Sequence, residues 1–248
     1  MKIILSIAGS DSCGGAGIQA DIKTAEYFNV FCATAITCLT SQNTQGVNAV
    51  FPISPDFIQK QIYSVLEDFE IDAIKIGMLG TKEIIYAVKK ALENFKKPIV
   101  LDPVAISRAG SKLLNHEAKE ALISMFEIAT IVTPNHFEAE YFILSNDKKA
   151  KLPKANFLIK NIDSAGENAI DRLFIDGVFK KDFITSFAQK NNTHGTGCTY
   201  STAIACNLAL GFCLEDAVNN SKQYIYKAIQ KAPNIGHGNG PICHNLKD

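Results

Sequence analysis

Short apolar runs of strand length alternate with longer stretches in which apolar residues recur every three or four positions, and this alternation repeats along most of the chain. Ile3-Ile4-Leu5-Ser6-Ile7-Ala8 reads as a buried strand, followed by a glycine-rich loop over residues 9–17 and a helix-periodic stretch from Ile18. Residues 30–39 predict a second strand ending in a polar loop, 40–46, before a short strand at 49–53. Ser54-Pro55-Asp56 supplies an N-cap, a proline at the first helical position and an early acid, so a helix carrying Phe57, Ile58, Ile62, Val65 and Leu66 begins there. The unit then recurs. Strand 73–76 leads through Gly77-Met78-Leu79-Gly80 to a helix from Lys82, and strand 99–101 leads through Asp102-Pro103-Val104 to a helix near 117–126. Strand 128–132 leads through Thr133-Pro134 to a helix at 135–144, and 157–160 is a further strand. Leu173-Phe174-Ile175 and Val178-Phe179 flank Asp176-Gly177 as a hairpin. An apolar helix beginning at Cys198 stops at Gly211, and a last helix spans about 215–231.

Strands alternating with helices predict one α/β domain over residues 1–248, with a mostly parallel sheet covered on both faces and joined by right-handed crossovers. Polar residues and glycines cluster where strands end and helices begin, the edge at which such sheets bind ligands. Composition adds exclusions. The 25 basic and 25 acidic side chains cancel without a basic run, so no nucleic-acid partner is expected. Neither a signal-peptide pattern nor an apolar stretch of membrane-spanning length is present, which predicts a cytoplasmic protein without membrane contact. Seven cysteines without a Cys-x-x-Cys pair fit reduced thiols better than disulfides or structural zinc, and Cys206 and Cys213, on one helical face, read as core.

The densest chemistry lies in Asn192-Thr193-His194-Gly195-Thr196-Gly197-Cys198-Thr199. Gly195 and Gly197 let backbone N–H groups converge at a helix N-terminus, where partial positive charge favours a phosphate. A thiol there, Cys198, is expected to ionise below its ordinary value of about 8.5, towards neutrality, unless it is simply a small packed side chain. The first glycine loop lacks the Gly-Lys-Ser/Thr of a Walker loop and misses the dinucleotide fingerprint. Asp102 sits at a strand end, and Asn135 and Glu138 lie one helical turn apart, able to face one metal-bound water or phosphate; the bland reading is a turn residue and a solvated helix face. Lys160, ending a buried strand, can reach a phosphate as a point charge or point into solvent. Gln42 offers both donor and acceptor, suiting a heterocycle with adjacent ring nitrogen and exocyclic amine, while Met78 fits an adaptable apolar wall or the core. His194 and His237 are phosphate or nucleotide contacts or members of polar loops.

Taken together, residues 8–21, Gln42-Asn43-Thr44, Lys75-Ile76-Gly77-Met78-Leu79, Asp102-Pro103-Val104, Thr133-Pro134-Asn135 with Glu138, residues 192–199 and Gly236-His237-Gly238 closely resemble the hydroxymethylpyrimidine and phosphomethylpyrimidine kinases of thiamine biosynthesis, within the ribokinase-like superfamily. The resemblance implies a three-layer α/β/α sandwich that uses ATP and Mg²⁺ to phosphorylate 4-amino-5-hydroxymethyl-2-methylpyrimidine and then its monophosphate, and it allows a homodimer. It places Gly9, Ala16, Gln42, Met78, Val104 and Cys198 in the pyrimidine pocket. Gly195, Thr196, Gly197 and Cys198 become the anion hole, with Cys198 the proposed base. Asp102, Asn135, Glu138, Thr193 and His194 fall in the nucleotide and phosphate region, Asp102 and Glu138 serve the metal, and Lys160 lies near the transferred group. Two departures stand out: the family's Lys-Gly-Gly-His is here Lys160-Asn161-Ile162-Asp163, and segment 145–156 leaves little room for the family's next helix, which strains a simple crossover. A pyridoxal or pyridoxine kinase is the nearest alternative, and a non-catalytic pyrimidine-binding sensor is one of another class.

Overall fold

The computed structural model describes residues 1–104, 116–143, 154–162, 167–188, 190 and 192–246. Its elements run β1 (Lys2–Asp11), α1 (Gly17–Tyr27), β2 (Val30–Asn43), β3 (Gly46–Pro52), α2 (Pro55–Asp68), β4 (Ala73–Ile76), α3 (Lys82–Ala91) and β5 (Ile99–Leu101). There follow α4 (Lys119–Ser124), β6 (Ile131–Val132), α5 (His136–Phe142), β7 (Phe157–Ile159), β8 (Asn168–Ile175), β9 (Val178–Ser186), α6 (Thr196–Ala209) and α7 (Leu214–Gln230). One sheet holds all nine of these strands in the order β3-β2-β1-β4-β5-β6-β7-β8-β9. Pairings from β2 through β7 are parallel, whereas β3 and the β8–β9 hairpin add antiparallel ends.

Helices cover both faces, giving the expected three-layer sandwich. Ile58 and Ile62 of α2, Ile84, Ile85 and Val88 of α3, and Ala139 and Phe142 of α5 pack with Leu5, Ile7, Ile74, Ile76 and Leu101. Tyr200, Ile204 and Ala205 of α6 and Val218 and Ile225 of α7 cover Val100, Ile131 and Leu158. Alternate residues of each central strand therefore serve opposite layers. Helix α6 is buried almost all round, as a helix wedged between the sheet and its neighbours must be. The Ser54 hydroxyl accepts the Phe57 N–H ahead of Pro55, so local chemistry starts α2 where the sequence places it.

Several sequence expectations shift. Residues 40–43 are the end of β2 and not a loop: β2 and β3 are a hairpin with Asn43 opposite Gly46, and the Asn43 side chain accepts the Gln45 N–H. Their polarity reflects a partly solvated ribbon. The strand expected over 128–132 shrinks to Ile131–Val132, because Met125–Glu127 form a tight 3-10 turn. The late hairpin is longer than 173–179, the charged residues Asp171, Arg172, Lys180, Lys181 and Asp182 interrupting the apolar pattern of its strands. Cys213 is exposed at the N-cap of α7, while Cys206 is buried as expected. Asn135 caps α5 from outside it. Strand β7 pairs parallel to β6, so the connection through α5 completes a crossover although the segment 145–156 after that helix is short; residues 144–153 lie outside the described ones.

Candidate active site

Strand β1 has β2 on one side and β4 on the other, so chains leaving its carboxyl end diverge and open a crevice. The loops that fill this edge interlock through backbone. Gly195, with φ of +82°, packs so tightly that a methyl group on it would overlap the Gly15 carbonyl oxygen, and Ala16 lies beside it. Only glycine meets both demands. Asp11 ties the same loops through its carboxylate. It accepts the N–H groups of Cys13 at 2.7 Å, Gly15 at 3.0 Å and Ala16 at 2.7 Å, and the His194 Nε2–H at 2.8 Å. Burial raises the Asp11 pKa, but the bonds from His194, Gln42 and Ala16 outweigh it and hold the carboxyl below its usual range. Asp11, Cys13 and His194 place one donor atom each within 4.8 Å of one another, yet this carboxylate is already engaged by N–H donors and works as a loop clasp.

At one end of the crevice, Gly9 leaves room for the sulfurs of Cys38 and Met78, which are 3.9 Å apart; a Cβ on Gly9 would sit 2.7 Å from the Cys38 sulfur and 3.6 Å from that of Met78. The Met78 carbonyl accepts the Thr37 hydroxyl at 2.6 Å, which fixes this wall. Gln42 is held by its backbone, the Ser12 hydroxyl donating to its carbonyl at 2.7 Å, and its side chain reaches Asp11. Val104 is half-buried, with its N–H on the Asp102 carbonyl at 2.8 Å.

At the other end, Asp102 is buried and takes the Lys160 ammonium at 2.9 Å and the Thr133 hydroxyl at 3.1 Å on Oδ1. Its Oδ2 is 3.4 Å, and the Lys160 Nζ 3.7 Å, from where a Cβ on Gly197 would stand, so the start of α6 meets this ion pair edge-on. Burial pulls the Lys160 pKa down, but Asp102 and Glu138 more than restore it, and the net shift is upward. Glu138 and Asn135 form a reciprocal capping box: the Asn135 Oδ1 accepts the Glu138 N–H, and the Glu138 Oε2 accepts the Asn135 N–H, both at 2.9 Å. Structurally, then, these two residues first of all start α5. His194 and Thr193, expected at nucleotide or phosphate, are loop ties here, Thr193 binding the Asn239 side chain and His194 binding Asp11. The His237 N–H rests on the Thr44 hydroxyl.

Cys198 corrects one expectation. The Gly17 N–H and the Lys75 ammonium favour its thiolate, but burial, with Asp21 and Asp102 nearby, pushes the thiol up to about 11. Desolvation outweighs the helix terminus. Close to it lies a pair to which sequence reasoning assigned no role: Lys75, fully buried, donates to both oxygens of Asp21 at 3.0 and 2.8 Å. Asp21 also accepts the hydroxyls of Ser6 at 2.5 Å and Thr202 at 2.6 Å. A lysine inside the otherwise apolar Ala73–Ile76 strand was the available signal. The departure after Lys160 also resolves, since Asn161 adopts φ of +54°, the region that favours glycine.

A family model described as phosphomethylpyrimidine kinase matches residues 11–243. The chain belongs to the phosphomethylpyrimidine kinase family. It is 42% identical to the hydroxymethylpyrimidine/phosphomethylpyrimidine kinase of Haemophilus influenzae, covering 98% of this chain and 97% of the relative. With the protein of the same name from Rhizobium meliloti the identity is 40%, over 98% and 96% of the two chains. Among solved structures, phosphomethylpyrimidine kinase from Clostridium difficile 630 superposes with a TM-score of 0.77 at 40% identity, over 92% of this chain and 100% of its own. Bacillus subtilis pyridoxal kinase in an ADP complex gives 0.86 at 34% identity, over 98% and 97%. Pyridoxal kinase from Staphylococcus aureus in complex with AMP-PCP gives 0.84 at 31%, over 98% and 93%. The fold is ribokinase-like and the chain is a phosphotransferase of this family.

Proposed function

We propose that this kinase transfers the γ-phosphoryl group of ATP to the hydroxymethyl oxygen of 4-amino-5-hydroxymethyl-2-methylpyrimidine, and then a second one to the monophosphate, in thiamine biosynthesis. The observation that carries the reading is the meeting of the glycine-started helix α6 with the Asp102–Lys160 pair at one end of a crevice whose other end is Gly9, Met78 and Gln42. A carboxamide can accept from an exocyclic amine and donate to the adjacent ring nitrogen, so Gln42 favours the aminopyrimidine over a pyridoxine-type ring. The nucleotide-bound pyridoxal kinase structures support ATP as donor.

Phosphoryl transfer passes through a loose transition state, so positioning and charge neutralisation outrank deprotonation of the nucleophile. The N–H groups of Gly197 and Cys198 in the first turn of α6 are placed to receive one anion, the Thr196 N–H being taken by the Thr193 carbonyl at 3.2 Å, and Lys160 supplies a cation at the same place. Asp102 keeps Lys160 oriented. Asp102 and Glu138 would hold Mg²⁺ here, and the ion would supply charge neutralisation at the nucleotide phosphates. The N–H groups of α6 and the Lys160 ammonium then receive the transferred group, while Gly9, Ala16, Met78 and Val104 enclose the ring.

The purified protein with ATP should release ADP and form product with the pyrimidine alcohol and with its monophosphate, and do so faster than with pyridoxine. Excess EDTA should stop both reactions. Preferred turnover of pyridoxine would establish the vitamin B6-type activity instead. Tight pyrimidine binding by calorimetry with no product from any alcohol would establish a sensor.

A further inference from the structure

Lys160 is held on one side by its own N–H, which donates to the Pro134 carbonyl at 2.9 Å, and by its ammonium on Asp102. On the other side the chain breaks step. Strands β7 and β8 pair antiparallel with Ile159 opposite Arg172, a register that would set Asn161 opposite Ile170. The Ile162 N–H reaches the Ile170 carbonyl in its place, at 3.0 Å, so Asn161 is one residue more than the ladder holds. Extra residues of this kind bend a strand and re-aim the neighbouring side chain.

The left-handed Asn161 is not left to itself. Its N–H donates to the Asp171 Oδ1 at 2.8 Å, and the Asp171 Oδ2 takes the Lys222 ammonium of α7 at 2.7 Å. Both members of that pair are buried, Asp171 at 2% and Lys222 at 4% exposure, and the buried Tyr200 hydroxyl of α6 faces the same carboxylate. A carboxylate with a dedicated cation, deep under the sheet edge, is a costly way to satisfy one backbone N–H unless the geometry of that turn matters. We infer that Asn161, Asp171 and Lys222 are positioning residues that fix the bulge after β7 and thereby aim Lys160 at the transferred phosphoryl group. The inference rests on the proposed place of Lys160 in the reaction.

Steady-state kinetics with the pyrimidine alcohol test it, wild-type turnover first establishing the reaction itself. Asn161→Gly keeps the left-handed turn and should retain kcat within about twofold, whereas Asn161→Val cannot hold it without strain and should lose about tenfold or more in kcat, with the pyrimidine KM unchanged. Asp171→Leu with Lys222→Met removes the whole buried pair, frees the Asn161 N–H and should reproduce that loss in a protein still folded by circular dichroism. The decisive readout is coupling: Asn161→Val added to Lys160→Met should cost nothing further. Losses that multiply, or a raised pyrimidine KM in place of a lowered kcat, would overturn the inference. Unchanged kcat in Lys160→Met would overturn it too, while leaving the proposed reaction standing.

Discussion

At the scale of a residue, Cys198 shows how burial decides between two opposed influences on one thiol. A helix terminus is worth roughly 0.3–1 kcal/mol, up to about 2 in favourable geometry, which is no more than about 1.5 pH units. Desolvation is larger, and it pushes the half-buried Cys198 thiol up to about 11 even with Lys75 beside it. At pH 7 only about 10⁻⁴ of the protein then carries the thiolate. Cys198 should therefore resist iodoacetamide in the free protein at pH 7 and become reactive steeply towards pH 11, followed by peptide mapping with Cys198→Ala as the blank. Rapid labelling at pH 7 would contradict the burial argument. A neutral sulfur packs and positions without taking a proton. Cys198→Ala should accordingly slow the alcohol and monophosphate steps to a similar degree in single-turnover experiments. An alcohol step slowed about 100-fold more would show the sulfur ionising once substrate is bound.

At the scale of an element, the start of α6 is gripped from two sides, by the first glycine loop above and by the segment 241–246 below. Thr199, in its first turn, bonds the His244 Nε2 at 3.0 Å, and the His244 carbonyl takes the Tyr224 hydroxyl of α7 at 2.8 Å. Burial, with Lys23 and His194 adding repulsion, depresses the His244 pKa to about 4. The unfolded chain, with an ordinary histidine near about 6.5, binds this proton first, so stability falls as pH drops from about 6.5 to about 4. The loss attributable to His244 should reach roughly 3 kcal/mol. Urea denaturation across this range should show that slope, and His244→Gln should flatten it; an unchanged slope would remove His244 as its source. Elements whose ends carry their own chemistry were legible in sequence, α2 through Ser54-Pro55 and the β8–β9 turn through Asp176-Gly177. Residues 40–43 were not, because polar side chains on a strand that outruns its helical cover look like a loop.

At the scale of the whole molecule, crossovers carry Gly9, Gln42, Met78, Asp102, Lys160 and Gly197 to one sheet edge, and that shared edge was readable because each lies at or near the end of a strand or the start of a helix. What lies under that edge was not readable, since Asp21, Lys75 and Thr202 meet only after α1, β4 and α6 have packed. Lys75 and Asp21 are both fully buried, so the pair sits where a charge without a partner is most expensive. Burial alone would neutralise the lysine, but Asp21 more than reverses that and keeps it charged. Lys75→Met strands a carboxylate among Ser6 and Thr202 and should cost about 3–5 kcal/mol in chemical denaturation. Adding Asp21→Asn leaves a neutral side chain that still accepts one hydroxyl and should recover most of that loss. The two substitutions should therefore be far from additive. Equal and additive costs would mean that the two side chains act by packing alone, with no charge coupling across the centre of the sheet.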